Sequence, residues 1–331
     1  MKLFSNLWAS IAMLLMLSLA TACENSSVLP EQPDSEYVTV SLGFDVGIDC
    51  EYEPLTRAVE NNDLYGIQVY SSPISATDNA QWTKYAYGLF DNTNNLTIKL
   101  IRGFEYKFVA TMVKDGKEKT ASIFEGKYGG PFIHNDSSSS ASGTTISTSF
   151  IYDELGMTNL GDFGTINRVN GELYYGELEG YIPEGDGSKA IIELGRASFG
   201  AKYIAKGDYA ENGRLEILMD RAPQLNLDLA ESNMVSEIYS FASPRAAWLD
   251  DNYTETVSVA LRIAYLDGTT APLGTHNITF KRNTTTVINV NLSIGSDSGV
   301  GFVITEDGEM PEDSEITIKD GEIVDTEIEA N

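Results

Sequence analysis

Histidine and cysteine are nearly missing from this chain, with two of each in 331 residues. His134 and His276 stand far apart, which argues against a histidine-based catalytic triad or a multi-histidine metal site. Cys50 lies between Asp49 and Glu51, whose charge raises a thiol pKa, so it reads as a small apolar residue rather than a nucleophile. Basic residues are also few: 22 Lys and Arg against 49 Asp and Glu give a formal charge of −27. Such a surface repels phosphate backbones, which excludes nucleic acid as a partner. It also offers no polybasic attraction to anionic lipid, and its plainest role is solubility. A glycine-rich phosphate loop, HExxH and GxSxG are all lacking. No enzyme activity, cofactor or metal is therefore expected. Gly185-Asp186-Gly187-Ser188 and Asp250-Asp251-Asn252 cluster oxygens without a ligand spacing and read as turns.

What is present begins with Lys2, an apolar run from Trp8 to Leu19 too short to span a bilayer, and then Ala20-Thr21-Ala22-Cys23. Small residues leading into a cysteine mark a bacterial lipoprotein signal, with cleavage between Ala22 and Cys23 and lipid on the Cys23 sulfur; an ordinary signal peptide followed by a chance cysteine is the alternative. Residues 1–22 are thus expected to be a signal peptide. The partner they imply is the membrane, reached through the lipid. Lipidation of Cys23 leaves Cys50 without an intramolecular disulfide partner. Residues 23–36, rich in Ser, Pro, Gln and acids, read as a flexible tether.

Beyond the tether the pattern is β. Val38, Val40, Leu42 and Phe44 alternate on one face, and similar runs cover Leu64–Tyr70, Leu96–Ile101, Tyr106–Val113 and Thr144–Tyr152. Lys114-Asp115-Gly116-Lys117 suits a two-residue hairpin. Later candidates include Gly171–Tyr181, Ala190–Leu194, Ala197–Ile204, Arg214–Met219, Leu225–Leu229, Val257–Leu266, His276–Lys281 and Thr284–Ile294. Met234–Trp248 has some helical spacing but contains Pro244, so a short helix is expected there. With no βαβ alternation, the chain is expected to be all-β: two antiparallel sandwiches in tandem, at residues 37–155 and 156–300. Residues 301–331 form an acidic tail. Glu315-Ile316-Thr317-Ile318 and Glu322-Ile323-Val324 keep β character within it, so a disordered tail and a terminal or donated strand both stand. Trp82, Tyr85, Tyr87 and Tyr174, Tyr175, Tyr181 form two aromatic groups. Sheet and core packing accounts for them, and a sugar-stacking platform is the alternative.

Several segments resemble the fimbrillin-related lipoproteins of the Bacteroidetes. They are the lipobox Ala20–Cys23, Leu55-Thr56-Arg57-Ala58, Asp63–Tyr70, Tyr85–Phe90, Leu194–Lys202 with Arg196 on its strand, and Phe280-Lys281-Arg282-Asn283 before a long Val/Ile strand. The resemblance implies two transthyretin-like or Ig-like sandwiches in an outer-membrane lipoprotein at the cell surface or in a fimbrium. It implies a non-enzymatic fimbrial subunit or anchor supporting adhesion. Proteolysis after an arginine, by position between Arg57 and Ala58, would remove the first strand, and other fimbrial subunits would donate a strand in its place. Host or glycan ligands are further partners of this reading. The alternative is a surface glycan-binding lipoprotein beside an outer-membrane transporter.

Overall fold

The computed structural model describes residues 37–45, 62–74, 81–122, 125–133, 143–154, 156–157, 160–161, 168–207 and 213–292, with the backbone of 302–307, 318–319 and 322–323. In chain order the first half gives β1 (Tyr37–Asp45), β2 (Leu64–Pro73), β3 (Thr83–Phe90), β4 (Thr97–Ile101), β5 (Phe104–Val113), a helical turn α1 (Gly116–Lys119), β6 (Tyr128–Ile133), β7 (Gly143–Thr144), β8 (Leu173–Tyr181), β9 (Lys189–Glu193) and β10 (Gly195–Arg196). The second half gives β11 (Ser198–Lys206), β12 (Gly213–Met219), β13 (Leu225–Asp228), β14 (Met234–Ser240), a short helix α2 (Pro244–Leu249), β15 (Thr254–Tyr265), β16 (Thr270–Lys281), β17 (Thr285–Asn291), β18 (Phe302–Asp307), β19 (Ile318–Lys319) and β20 (Glu322–Ile323).

The fold is all-β, in two sandwiches. The first stacks a sheet of order β4-β1-β9 on one of order β10-β8-β5-β2-β3. Between them lies a core that includes Val38, Val40, Ile67, Phe108 and Ile192. The second stacks β14-β11-β17-β18 on β13-β12-β15-β16 around residues such as Phe199, Tyr203, Val259, Phe280 and Ile288. Neighbouring strands are antiparallel except for the parallel pairs β1–β9 and β11–β17.

The five-stranded sheet is covered on both faces, so its strands are runs of buried residues rather than alternating ones. Its outer face carries Leu64, Val109, Val113, Leu173 and Tyr175 against Phe132, Met157 and Leu160, and this apolar layer is continuous with the second core. Gly66 is required there, since a Cβ would stand 2.7 Å from the Phe132 ring.

Several expectations shift. Strands β8, β9 and β10 follow residue 156 yet pair into the first sandwich: β8 beside β5, β9 beside β1, β10 beside β8. A boundary at 155/156 therefore does not divide the two sandwiches. The chain visits the second one briefly at Arg168–Asn170, where Ser240 N–H donates to Val169 O at 3.0 Å and Gly171 N–H donates to Ile238 O at 2.8 Å. It then returns for β8–β10, and enters the second sandwich again at Ala197. Asp115 takes a left-handed φ of 54°, but it opens α1 rather than a hairpin turn. Met234–Ser240 is strand, and Pro244 begins α2, where its missing N–H costs nothing. From the acidic tail, β18 pairs antiparallel with β17, Thr285 opposite Asp307.

Candidate functional site

Two places on the first sandwich have functional geometry. One is the seat of β1. Val38, Val40 and Leu42 point into the core and alternate with Thr39 and Ser41. The strand changes neighbours midway. Tyr37–Ser41 runs antiparallel to β4, Tyr37 opposite Ile101, and Ser41–Asp45 runs parallel to β9, Asp45 opposite Glu193. Where a ladder stops, loops take over. Gly187 N–H donates to Thr39 O at 2.9 Å, Asp186 Oδ1 accepts from Thr39 N–H at 2.8 Å, and Leu42 N–H donates to Leu96 O at 2.9 Å. The Gly185–Ser188 turn is thus a clasp for β1, with its carboxylate directed at the β1 backbone. Burying Val38, Val40 and Leu42 contributes roughly 1.5–3 kcal/mol each. The three together rival the net stability of a domain, about 5–15 kcal/mol. Loss of β1 is therefore tolerable only when another strand takes its seat, because β4 and β9 would otherwise face solvent as open edges.

The other place is a hollow of about 320 Å³ on the outer face of the five-stranded sheet, beside α2. Tyr70, Trp82 and Tyr175 form aromatic walls, Val109, Met157 and Leu160 an apolar floor, and Lys107, Glu177 and Arg245 the polar part. Tyr175 and Glu177 share a face because they are two apart on β8. The Glu177 side chain is only 7% exposed. Its Oε2 meets Lys107 Nζ at 2.8 Å, and its Oε1 accepts from Arg245 Nε at 2.6 Å and from Tyr175 OH at 2.5 Å. Burial alone would raise the Glu177 pKa, but the bonds from Lys107, Tyr175 and Arg245 outweigh it and hold the carboxyl below its ordinary range. Burial likewise works to lower the Lys107 pKa, yet Glu177 and Glu179, the latter at 2.9 Å, raise it. Tyr175 is pushed up by burial and by donating to Glu177. The lining thus sets Lys107 and Arg245 against Glu177, with Glu179 pairing Lys107 from outside the hollow.

The buried Gln68 also lines the hollow, and its amide is committed: Nε2 donates to Ala86 O at 3.1 Å and Val69 O at 3.0 Å, and Oε1 accepts from Met157 N–H at 2.8 Å. Gly156, at φ 55°, makes this approach feasible, since a Cβ there would lie 2.2 Å from Gln68 Oε1.

The sequence-marked residues Ala22, Cys23, Cys50, Arg57, Ala58 and His134 lie outside the described residues. His276 sits on β16 opposite Val259. The aromatic groups divide. Trp82 and Tyr175 line the hollow. Tyr85 meets Tyr106 and Tyr152 edge-on at 5.3 and 5.5 Å, Tyr181 packs on Phe108, and Tyr174 carries the Arg196 guanidinium over its ring at 5.6 Å. Asp251 pairs with Arg282 at 2.6 Å, and Asp250 Oδ1 accepts from Asn252 N–H, so that cluster is a turn as expected. Tyr70, Lys107, Glu177 and Arg245 went unmarked. Only Tyr175-x-Glu177 had a local signal, the shared face of one strand. Among the described residues, no helix is long and apolar enough to cross a membrane.

No family model matches the chain, and no curated protein does. Solved structures do align. A candidate cell adhesion protein from Bacteroides eggerthii is 10% identical, covering 86% of this chain and 98% of its own, with a TM-score of 0.35. A fimbrial assembly protein from Parabacteroides distasonis is 10% identical, with 86% and 99% covered and a TM-score of 0.36. A candidate adhesin from Bacteroides ovatus is 14% identical, with 78% and 87% covered and a TM-score of 0.36.

Proposed function

We propose that this chain is a non-enzymatic surface lipoprotein of the fimbrial kind, anchored at first through Cys23 and assembling by strand exchange. The observation that supports it is the seat of β1. This strand is the middle member of β4-β1-β9, it carries three core side chains, and Arg57 follows it in the sequence before β2 begins. Cleavage between Arg57 and Ala58 would free β1 together with the lipid. The groove left between β4 and β9 then accepts a strand of the same alternation from a second copy. The tail supplies such a pattern: Ile316-Thr317-Ile318 repeats the apolar-Thr-apolar order of Val38-Thr39-Val40.

The test is to treat the purified chain with an arginine-specific protease and separate the products in mild SDS. A ladder of SDS-resistant oligomers is expected, absent from Arg57→Ala and from a chain ending at residue 307. A cleaved product that stays monomeric and folded, or oligomers that form equally well in Arg57→Ala, would overturn strand exchange.

A further inference from the structure

We infer that the hollow beside α2 is a binding site for a neutral saccharide, and this stands whether or not β1 is ever released. Small-ligand sites are concave and mostly apolar, with a few convergent polar groups, and run from ~300 Å³ upward. At about 320 Å³ this one has room for one or two sugar rings.

Its chemistry narrows the occupant. A pyranose has a face of C–H bonds and a rim of hydroxyls. The C–H face suits an aromatic ring, whose negative π surface attracts it, and the hydroxyls suit side chains with several donors and acceptors in fixed directions. Trp82 is half-buried, and Tyr70 lines the same hollow. The polar rim is held rigidly. Glu177 is oriented by Lys107, Tyr175 and Arg245, and these bonds use three of roughly four acceptor positions on the carboxylate. Arg245 spends its Nε on Glu177 and is 49% exposed, so its terminal N–H groups are available to a ligand.

Charge disfavours the obvious competitors. Lys107 and Arg245 both pair with Glu177, and Lys107 also with Glu179, so each cation already has a carboxylate partner and pulls less strongly on a phosphate, sulfate or carboxylate. The formal charge of −27 disfavours polyanions further. An apolar ligand would bury this ion-paired rim with nothing to bond its remaining donors. A neutral, hydroxyl-rich ring satisfies both walls and rim.

The test is an array of neutral and acidic oligosaccharides probed with the intact chain, followed by titration of the best neutral hit. Neutral sugars should bind, and Trp82→Ala should weaken binding at least tenfold while leaving the unfolding midpoint in place. Tyr70→Phe, which keeps the ring and removes the hydroxyl, gives a smaller loss. Three outcomes overturn the inference: no sugar on the array binds, acidic sugars bind in preference, or the hit binds Trp82→Ala as tightly as the parent.

Discussion

Glu177 shows how one side chain links strand geometry to pH. It is a nearly buried carboxylate with three charged or hydroxyl donors, and its pKa lies below the ordinary range. In the unfolded chain the same group takes up its proton near ~4.3. The unfolded state therefore binds the proton first as pH falls. The stabilisation from Glu177 is complete above that value, shrinks as pH drops through it and is gone below the folded value. Glu177→Gln is expected to lower the urea midpoint at neutral pH, by the equivalent of about 1.5–3 kcal/mol for bonds to a charged group. The gap to the parent should close in acid. A gap that stays constant from neutral to acid pH would mean the carboxylate charge adds nothing.

At the scale of elements, legibility depended on how many faces a strand buries. β1 and β15 have one face in the core and alternate, so their periods were readable. β2 and β5 are covered on both sides, and their apolar runs identified strands but not the second layer over them. Pairing was the least legible feature. Nothing local in Leu173–Tyr181 says that β8 returns to β5, or that β9 lies parallel to β1, because such choices are made by contacts far apart in sequence. The hollow was hidden for the same reason, since Arg245 reaches Glu177 from 68 positions away. This topology has a direct consequence. A fragment of residues 37–155 lacks β8 from beside β5 and β9 from beside β1, so it should show no cooperative thermal transition. A fragment of residues 37–196 regains both and should show more β-type circular dichroism than the shorter one, though less stability than the intact chain. A cooperative transition in the shorter fragment would contradict the pairing of β8 and β9.

On the scale of the whole molecule, the two sandwiches are bound too closely to melt apart. Among the described residues the chain passes between them at 171–173 and 196–198, and further bonds tie the two together. Arg168 lies buried under the second sandwich, bonded to Glu255 and donating to Ser240 O at 3.2 Å. Arg282 Nε donates to Arg196 O at 2.6 Å. From α2, Trp248 packs edge-on against Tyr175 at 5.8 Å while Arg245 pairs with Glu177. One apolar core runs from the outer face of the five-stranded sheet into the second sandwich, so unfolding either half exposes surface that the other half buries. Burial of apolar area is the main favourable term, and a unit that shares it loses it all at once. Calorimetry of the intact chain should therefore give a single endotherm. At ~0.7 kcal/mol per residue its enthalpy is on the order of 200 kcal/mol, with van't Hoff and calorimetric values equal. Independent sandwiches would instead give two transitions, or a van't Hoff enthalpy near half the calorimetric one, and either result would mean the shared core does not couple them.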